Sequence, residues 1–279
     1  MPFPAEIIPG RFVHALHAID AEAELERSSL KGRDYRPAIA LSVAAFCLLI
    51  TYYPIRTGSF ERFLLYFSSA IGLQSTDLLV RVSESEFYSL LQFTWRLSWL
   101  AIGFALLPLL VIKLAFKESI RDYWIGLGDS GLYMKWIVLF IGFSIIDAIV
   151  VSFRKDFASF YPFYRFSSRS WADLIVWECL YFSEILLVEF FFRGFLLKSC
   201  KALFGFSAIL VMCLPYMMVH LGKPWPETVN SFFYGFLLGV LAMRSKSIWG
   251  CVLIHYSLAF TTDLSALLQK NGIPSQWWP

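Results

Sequence analysis

The sequence predicts an all-α, polytopic membrane protein, a bundle of about seven or eight transmembrane helices, from its composition and its uncharged segments. Apolar residues make up 58% of the 279 positions, whereas Asp, Glu, Lys and Arg make up only 16%, against about a quarter in soluble domains. Residues 37–55 and 202–222 contain no charged side chain, and a helix crosses a bilayer with roughly 20 such residues. This excludes an ordinary soluble enzyme. The apolar segments predict a lipid bilayer around the protein. The net charge of +3 is spread along the chain without a basic run, so no nucleic-acid partner is expected.

The chain begins with a polar arm, residues 1–36, which is predicted to be helical from Ala21 to Leu30. Its five basic residues favour a cytoplasmic N-terminus, in the cell (inner) membrane if the protein is bacterial. N-terminal helices and loops follow at 37–170, a C-terminal core at 171–268 and a tail at 269–279. The apolar segment 63–73 is too short to cross and is predicted to be an interfacial or re-entrant helix. The predicted spans are 37–55, 87–116, 136–153, 171–197, 203–221, 229–243 and 248–268.

Ionisable residues within the predicted spans cluster in the C-terminal half of the chain. A charge in the bilayer costs about 2.5–3.5 kcal/mol on insertion scales, so such residues normally face the bundle interior and mark function. The sequence therefore predicts a polar intramembrane cavity in this half. The residues concerned are Glu178, Glu184, Glu189, Arg193, His220, His255 and Asp263.

Three blocks in this region carry a resemblance to a known family. They are the Glu-x-x-x-Arg-Gly block that starts at Glu189, the aromatic-x-x-x-His block that ends at His220, and the final helix with His255. In order and spacing, residues 171–268 resemble the CPBP family of intramembrane proteases, also called the Abi family, which includes the Ras-converting CAAX endopeptidase. The resemblance implies a CPBP-type, glutamate-dependent intramembrane endopeptidase that hydrolyses a membrane-associated protein or peptide. Glu189 and Arg193 match the second Glu and the Arg of the family's Glu-Glu-x-x-x-Arg motif, and the two histidines match those of the other blocks.

The sequence departs from the family pattern at two positions. Val188 stands where the family has its first Glu, which is usually assigned to water activation, and Ala259 stands where an Asn is common. Glu184 lies four residues before Val188 and Asp263 four residues after Ala259, which on a helix is one turn along nearly the same face. Because the two helices are expected to run antiparallel, both displacements point to the same side of the membrane. We therefore predict a relocated catalytic site rather than a lost one.

Peptide hydrolysis needs a base that deprotonates water and donors that hold the oxyanion. Glu184 and Glu189 are predicted to be the base and its partner, in either order, with Asp263 as a further polar group and Arg193 orienting Glu189. His220 and His255 either bind a divalent metal such as zinc or stabilise the oxyanion without one, and the sequence leaves both open.

Competing interpretations also stay open for these residues. Glu189 and Arg193 fit a structural ion pair, because they are four residues apart on a helix. The chain also fits a catalytically silent scaffold, immunity or regulatory protein of the same fold, while a small transporter is less favoured because no internal repeat is visible. Lys223 and Glu227 are predicted to have a loop role. The chain has no Gly-x-Ser-Gly of rhomboid-like proteases and no His-Glu-x-x-His of zinc proteases.

Overall fold

The computed structural model describes residues 9–30, 32–56 and 58–279, and these residues form helices and connecting loops without a β-strand. Among them, four helices are long and apolar enough to cross a bilayer by length and composition, and Ser207–Met218 is a shorter apolar helix. The predicted class, an all-helical polytopic membrane bundle, is confirmed. The four long helices are Arg36–Pro54, Tyr88–Phe116, Ser130–Ser152 and Trp249–Lys270.

The α-helices of the described residues are numbered in chain order. They are α1 (Pro9–Ser28), α2 (Arg36–Arg56), α3 (Ser59–Ala70), α4 (Asp77–Ser83), α5 (Tyr88–Ala101), α6 (Leu107–Leu110), α7 (Ser130–Ser152), α8 (Phe157–Phe160), α9 (Trp171–Glu189), α10 (Lys198–Phe204), α11 (Ser207–Met218), α12 (Trp225–Ser245) and α13 (Trp249–Lys270). The π-helical segments Ile102–Leu106 and Val111–Phe116 follow α5 and α6, so that residues 88–116 form one continuous helix. The π-helical segment Phe190–Leu197 likewise joins α9 to α10. A 3₁₀ turn covers Ile120–Tyr123.

Several predicted boundaries differ from the structure, among them the starts of α7, α11 and α1. Helix α7 begins at Ser130, six residues before the predicted start at Trp136, because the polar residues before Trp136 do not interrupt the helix. Helix α11 begins at Ser207 rather than at residue 203, because Gly205 has a positive φ of 57° that ends the preceding helix. Helix α1 begins at Pro9 rather than at Ala21, since proline is well tolerated in a first helical turn.

Helix α1 is docked against α10 by ion pairs. Lys201 Nζ lies 3.0 Å from Glu22 Oε2, and Lys198 Nζ lies 2.6 Å from Glu26 Oε1. Burial acts to raise the pKa of Glu22, but the hydrogen bond from Lys201 and the nearby basic side chains outweigh it, so this pKa is lowered. The ionised form of Glu22 therefore favours docking. The apolar face that α1 buries consists of Ala15, Ile19 and Ala23.

The docked arm marks one end of the bundle, which we call the arm end. The connection 117–129 also lies there, because the Ile248 N–H donates to the Trp124 carbonyl at 3.0 Å and Trp249 Nε1 donates to the Ile125 carbonyl at 2.7 Å. The opposite end, which we call the cavity end, holds α8, the loop 219–224 and the C-terminal tail. The Trp171 N–H at the start of α9 donates there to a carbonyl of this tail at 2.9 Å.

The directions of the C-terminal helices follow from their contacts. Helix α13 runs parallel to α7, because Gly250 lies against Ile137 near the arm end, whereas Gln269 donates to Ser152 at 2.7 Å near the cavity end. Helix α12 lies between α11 and α13, and packs closely on α11 through glycine. A Cβ at Gly239 would lie 2.7 Å from the side chain of Ile209, so only glycine fits there without displacement.

Candidate functional site

Three charged or ionisable side chains contact one another in series and link the α9 region to α13. Glu189 Oε1 lies 3.1 Å from Arg193 Nη1 and 2.7 Å from His255 Nδ1. The side chains of Glu189 and Arg193 are both 0% exposed, whereas that of His255 is 17% exposed. The second carboxylate oxygen of Glu189 has no hydrogen-bond donor among the described residues. The carboxylate charge is therefore stabilised mainly by Arg193 and His255.

The local helix geometry sets this arrangement. Glu189 ends α9, and Arg193 lies one turn later in the π-helical segment, which places both side chains on one face. π-Helical turns are rare in proteins overall, but those that occur are often found at functional sites. The guanidinium carbon of Arg193 lies 4.0 Å above the ring of Tyr216, so α11 supplies a cation–π contact in addition to the ion pair.

Tyr216 also connects the two histidines. Its ring centroid lies 4.9 Å from that of His220 and 6.5 Å from that of His255. A Cβ at Gly235 of α12 would lie 3.0 Å from the Tyr216 ring, so glycine allows α12 to approach this cluster. The histidines of the second and third sequence blocks are thus brought to one aromatic side chain.

Both imidazoles have Nδ1 engaged by an oxygen acceptor. Nδ1 of His220 lies 3.0 Å from the Tyr216 carbonyl oxygen, and Nδ1 of His255 lies 2.7 Å from the Glu189 carboxylate. Because these oxygens accept, Nδ1 is the protonated nitrogen of each neutral ring and Nε2 keeps its lone pair. The site can therefore offer two imidazole lone pairs for accepting protons from water or for binding a cation.

His220 and His255 line one cavity of about 90 Å³ near the cavity end of the bundle, which is room for several waters. Its walls come from α7, α12 and α13, with Tyr181 from α9 and Phe157 and Tyr161 from the segment after α7. Glu189 is not among the lining residues and reaches the cavity through His255. The predicted polar cavity is thus observed in the C-terminal half.

The structure places Glu184 and Asp263 apart from these imidazoles. Glu184 forms an ion pair with Arg96 of α5, and neither Glu184 nor Asp263 lines the cavity. Asp263 is 1% exposed and accepts a hydrogen bond from Trp177 Nε1 at 2.7 Å. The pairs Trp177–Asp263 and Glu189–His255 show that α9 and α13 run antiparallel, as predicted. The relocation of the base to Glu184 stays a prediction.

Val188, at the position of the family's first Glu, packs within the main apolar core and is 9% exposed. Ala259 is 6% exposed and lines the cavity. The two substituted positions thus differ: one faces the core, and the other faces the cavity.

Several cavity residues were not identified as functional from the sequence. Lys223 and Glu227, predicted to have a loop role, line the cavity and form an ion pair at 2.5 Å, and Tyr161 donates to the same carboxylate. Asp147 and Tyr234 line the wall between α7 and α12. The sequence signal that could have found Asp147 was its place in an otherwise uncharged span.

The donor set only partly fits a zinc ion. A catalytic zinc site usually has three protein ligands, and its histidines donate their other N–H to an oxygen acceptor. His220 and His255 satisfy the second condition, but within the described ranges no three His, Cys, Asp or Glu side chains are grouped to hold a metal. The described residues supply two histidine ligands, so the mechanism proposed below uses the imidazoles without a metal, and metal binding is the alternative that elemental analysis tests.

A comparison with protein families identifies the class of this region. Residues 170–261 match the family model described as Rce1-like, type II CAAX prenyl endopeptidase Rce1-like. This segment contains both His residues and the Glu189–Arg193 pair, and it confirms the resemblance to the CPBP family. Together with the long apolar helices, it identifies the chain as an integral membrane protein with a CAAX-protease-like segment. No curated protein and no solved structure matches the chain.

Proposed function

We propose that the chain is an intramembrane endopeptidase in which His255, supported by Glu189, activates water. The observation that carries this proposal is the position of His255, which lines the cavity with one face and contacts the buried Glu189 carboxylate at 2.7 Å. The glutamate then acts through the imidazole rather than on water directly. The orienting carboxylate behind a histidine base is the arrangement that recurs in hydrolases of unrelated fold.

The reaction can be written from these groups. His255 Nε2 takes a proton from water as the water oxygen attacks the scissile carbonyl carbon, and the imidazolium that forms is stabilised by Glu189. His220 Nε2 accepts the other water proton as a hydrogen bond and holds the nucleophile in place. The proton on His255 then passes to the departing amide nitrogen as the C–N bond breaks, which releases an amine and a carboxylic acid. The acid gives its remaining proton to the amine, so the products are a carboxylate and an ammonium ion.

The proposed substrate is a membrane-associated protein or peptide, because the cavity is built between apolar helices. We place the protein in the cell membrane with the arm end in the cytoplasm, as its basic residues favour. The cavity end then faces the opposite side. A reporter fused after residue 279 tests this orientation, since α13 ends at the cavity end.

Cleavage of internally quenched peptides by the reconstituted protein tests the proposal. His255→Gln should lower kcat by about 10²–10⁴-fold, the usual contribution of a positioned base, and Glu189→Gln should be nearly as severe. His17→Gln is the matched control. The His17 side chain is exposed on α1, so this change should leave activity unaltered. Full activity in His255→Gln would contradict the proposal.

Glu184→Gln separates the two assignments of the base. If Glu184 is the relocated base, this variant loses hydrolysis while its fold is retained. If His255 is the base, the variant keeps hydrolysis and loses only the ion pair with Arg96.

A second candidate function is a silent membrane scaffold or regulatory protein. It is favoured by Val188, because an apolar side chain packed in the core replaces the glutamate assigned to water activation in the family. Unchanged cellular function when Glu189 and His255 are both substituted would support this alternative.

A further inference from the structure

Among the described residues, Asp147 is a carboxylate in the cavity wall without a cationic partner. It lies in α7, five residues before the helix ends, and lines the cavity together with the histidines. Its hydrogen-bond partner is the Tyr234 hydroxyl, at 3.4 Å from Oδ2, and no Lys or Arg of the described structure pairs with it. A carboxylate within an apolar span is costly and usually marks a function.

The other charged side chains of the cavity are already paired. Lys223 lies 2.5 Å from Glu227, and Arg154 lies 3.0 Å from Asp156. Of the carboxylates that the described residues place in the cavity wall, Asp147 is therefore the one without an ion-pair partner, and it can bind a cationic ligand. Aromatic rings of the same cavity, such as Tyr234 and Tyr181, suit the alkyl stem and cationic head of a long basic side chain.

We propose that Asp147 is a specificity-determining residue that binds a lysine or arginine side chain of the substrate. This inference rests on the proposed peptidase function and adds the substrate class, a peptide with a basic residue close to the cleavage site. The acid binds the substrate side chain and takes no part in proton transfer.

The helix register gives the distance of that residue from the scissile bond. Because Ile137 lies against Gly250 and Ser152 contacts Gln269, Asp147 lies level with about residues 260–264 of α13. This is about 5–9 residues beyond His255, or roughly 7–13 Å at 1.5 Å per residue. An extended peptide covers that distance in about two to four residues.

Two decapeptide pools test the proposal, one with a single Lys at varied positions and one with Gln at the same positions. The protein should cleave the Lys pool with a kcat/KM at least tenfold higher, with Lys two to four residues from the cut. Asp147→Asn should abolish this preference and leave cleavage of the Gln pool unchanged. Asp147→Glu should retain it, which excludes misfolding as the cause.

Asp156→Asn is the matched control, because it removes a cavity carboxylate that is already paired with Arg154. It should keep the preference for Lys. Equal cleavage of the two pools by the wild-type protein, or an equal loss on both pools in Asp147→Asn, would overturn the proposal.

Binding measurements keep the two proposals distinguishable. Fluorescein-labelled Lys and Gln peptides are titrated with wild-type protein and with Asp147→Asn, and anisotropy is recorded. If no peptide is cleaved but the Lys peptides bind at least tenfold more tightly only when Asp147 is present, the peptidase function fails and the Asp147 site stands. Equal binding of both peptides to the wild-type protein refutes the Asp147 site, whatever the peptidase result.

Discussion

The buried Glu189–Arg193 pair is expected to contribute to both stability and catalysis, and a double-mutant cycle separates the two. Glu189→Gln leaves the Arg193 guanidinium in a site where both side chains are 0% exposed. Removing one partner of such a pair typically costs about 3–5 kcal/mol, because the other charge stays buried without compensation. Arg193→Gln should cost a similar amount, since it leaves the carboxylate with His255 alone.

The double variant Glu189→Gln with Arg193→Gln removes both charges and is expected to be more stable than the sum of the single changes predicts. Residues in direct contact show interaction energies of about 0.5–3 kcal/mol, and full burial places this pair at the upper end. The free energy of unfolding is measured by SDS titration of the purified protein, with tryptophan fluorescence as the signal.

Peptide cleavage is measured on the same variants. Glu189→Gln and the double variant should both lose most of the activity, although the double variant regains stability, because a glutamine at position 189 cannot stabilise the His255 imidazolium. Free-energy changes that simply add in the double variant would refute the coupling of the two charges. Activity in the double variant would refute the role of Glu189 behind His255.

Three further predictions concern packing, the arm and metal content. Gly235→Ala should lower the free energy of unfolding by about 1–3 kcal/mol, because its Cβ would lie 3.0 Å from the Tyr216 ring. Gly142→Ala should not, because a Cβ there meets no atom of the described residues within 4 Å. The lowered pKa of Glu22 means that its stabilisation of the docked arm is present above its ordinary pKa and lost as the pH falls through the lowered value. The hydrogen-exchange protection factors of α1, corrected for the intrinsic rate at each pH, should therefore fall in acid, and Glu22→Gln, but not Glu24→Gln, should remove this dependence. Elemental analysis should find well below one zinc per chain, and a full equivalent that disappears in His220→Ala would establish a metal site.

The spans and the order of the site blocks could be predicted because both are local properties of the sequence. The uncharged segments locate α2 and α13, and the i, i+4 spacing of Glu189 and Arg193 indicates their ion pair. The antiparallel direction of α9 and α13 follows from counting the crossings between them.

The partners of Glu184 and the cavity role of Glu227 could not be predicted from the sequence. Arg96 and Glu184 are 88 positions apart, so no local pattern in the sequence pairs them. Glu227 follows a proline-rich turn, and only the packing of the segment that contains Tyr161 encloses it in the cavity. Both depend on long-range packing, which local periodicity does not specify.

The substitution at Val188 changes which group can contact water. Adjacent helical residues point about 100° apart, so Val188 faces the apolar core while Glu189 faces α13. A carboxylate in that direction meets His255 before it meets the cavity, and it is fully buried. In the proposed mechanism Glu189 therefore acts on water only through the imidazole, so His255→Gln separates the His255-dependent enzyme from the scaffold, while Glu184→Gln tests the relocated base.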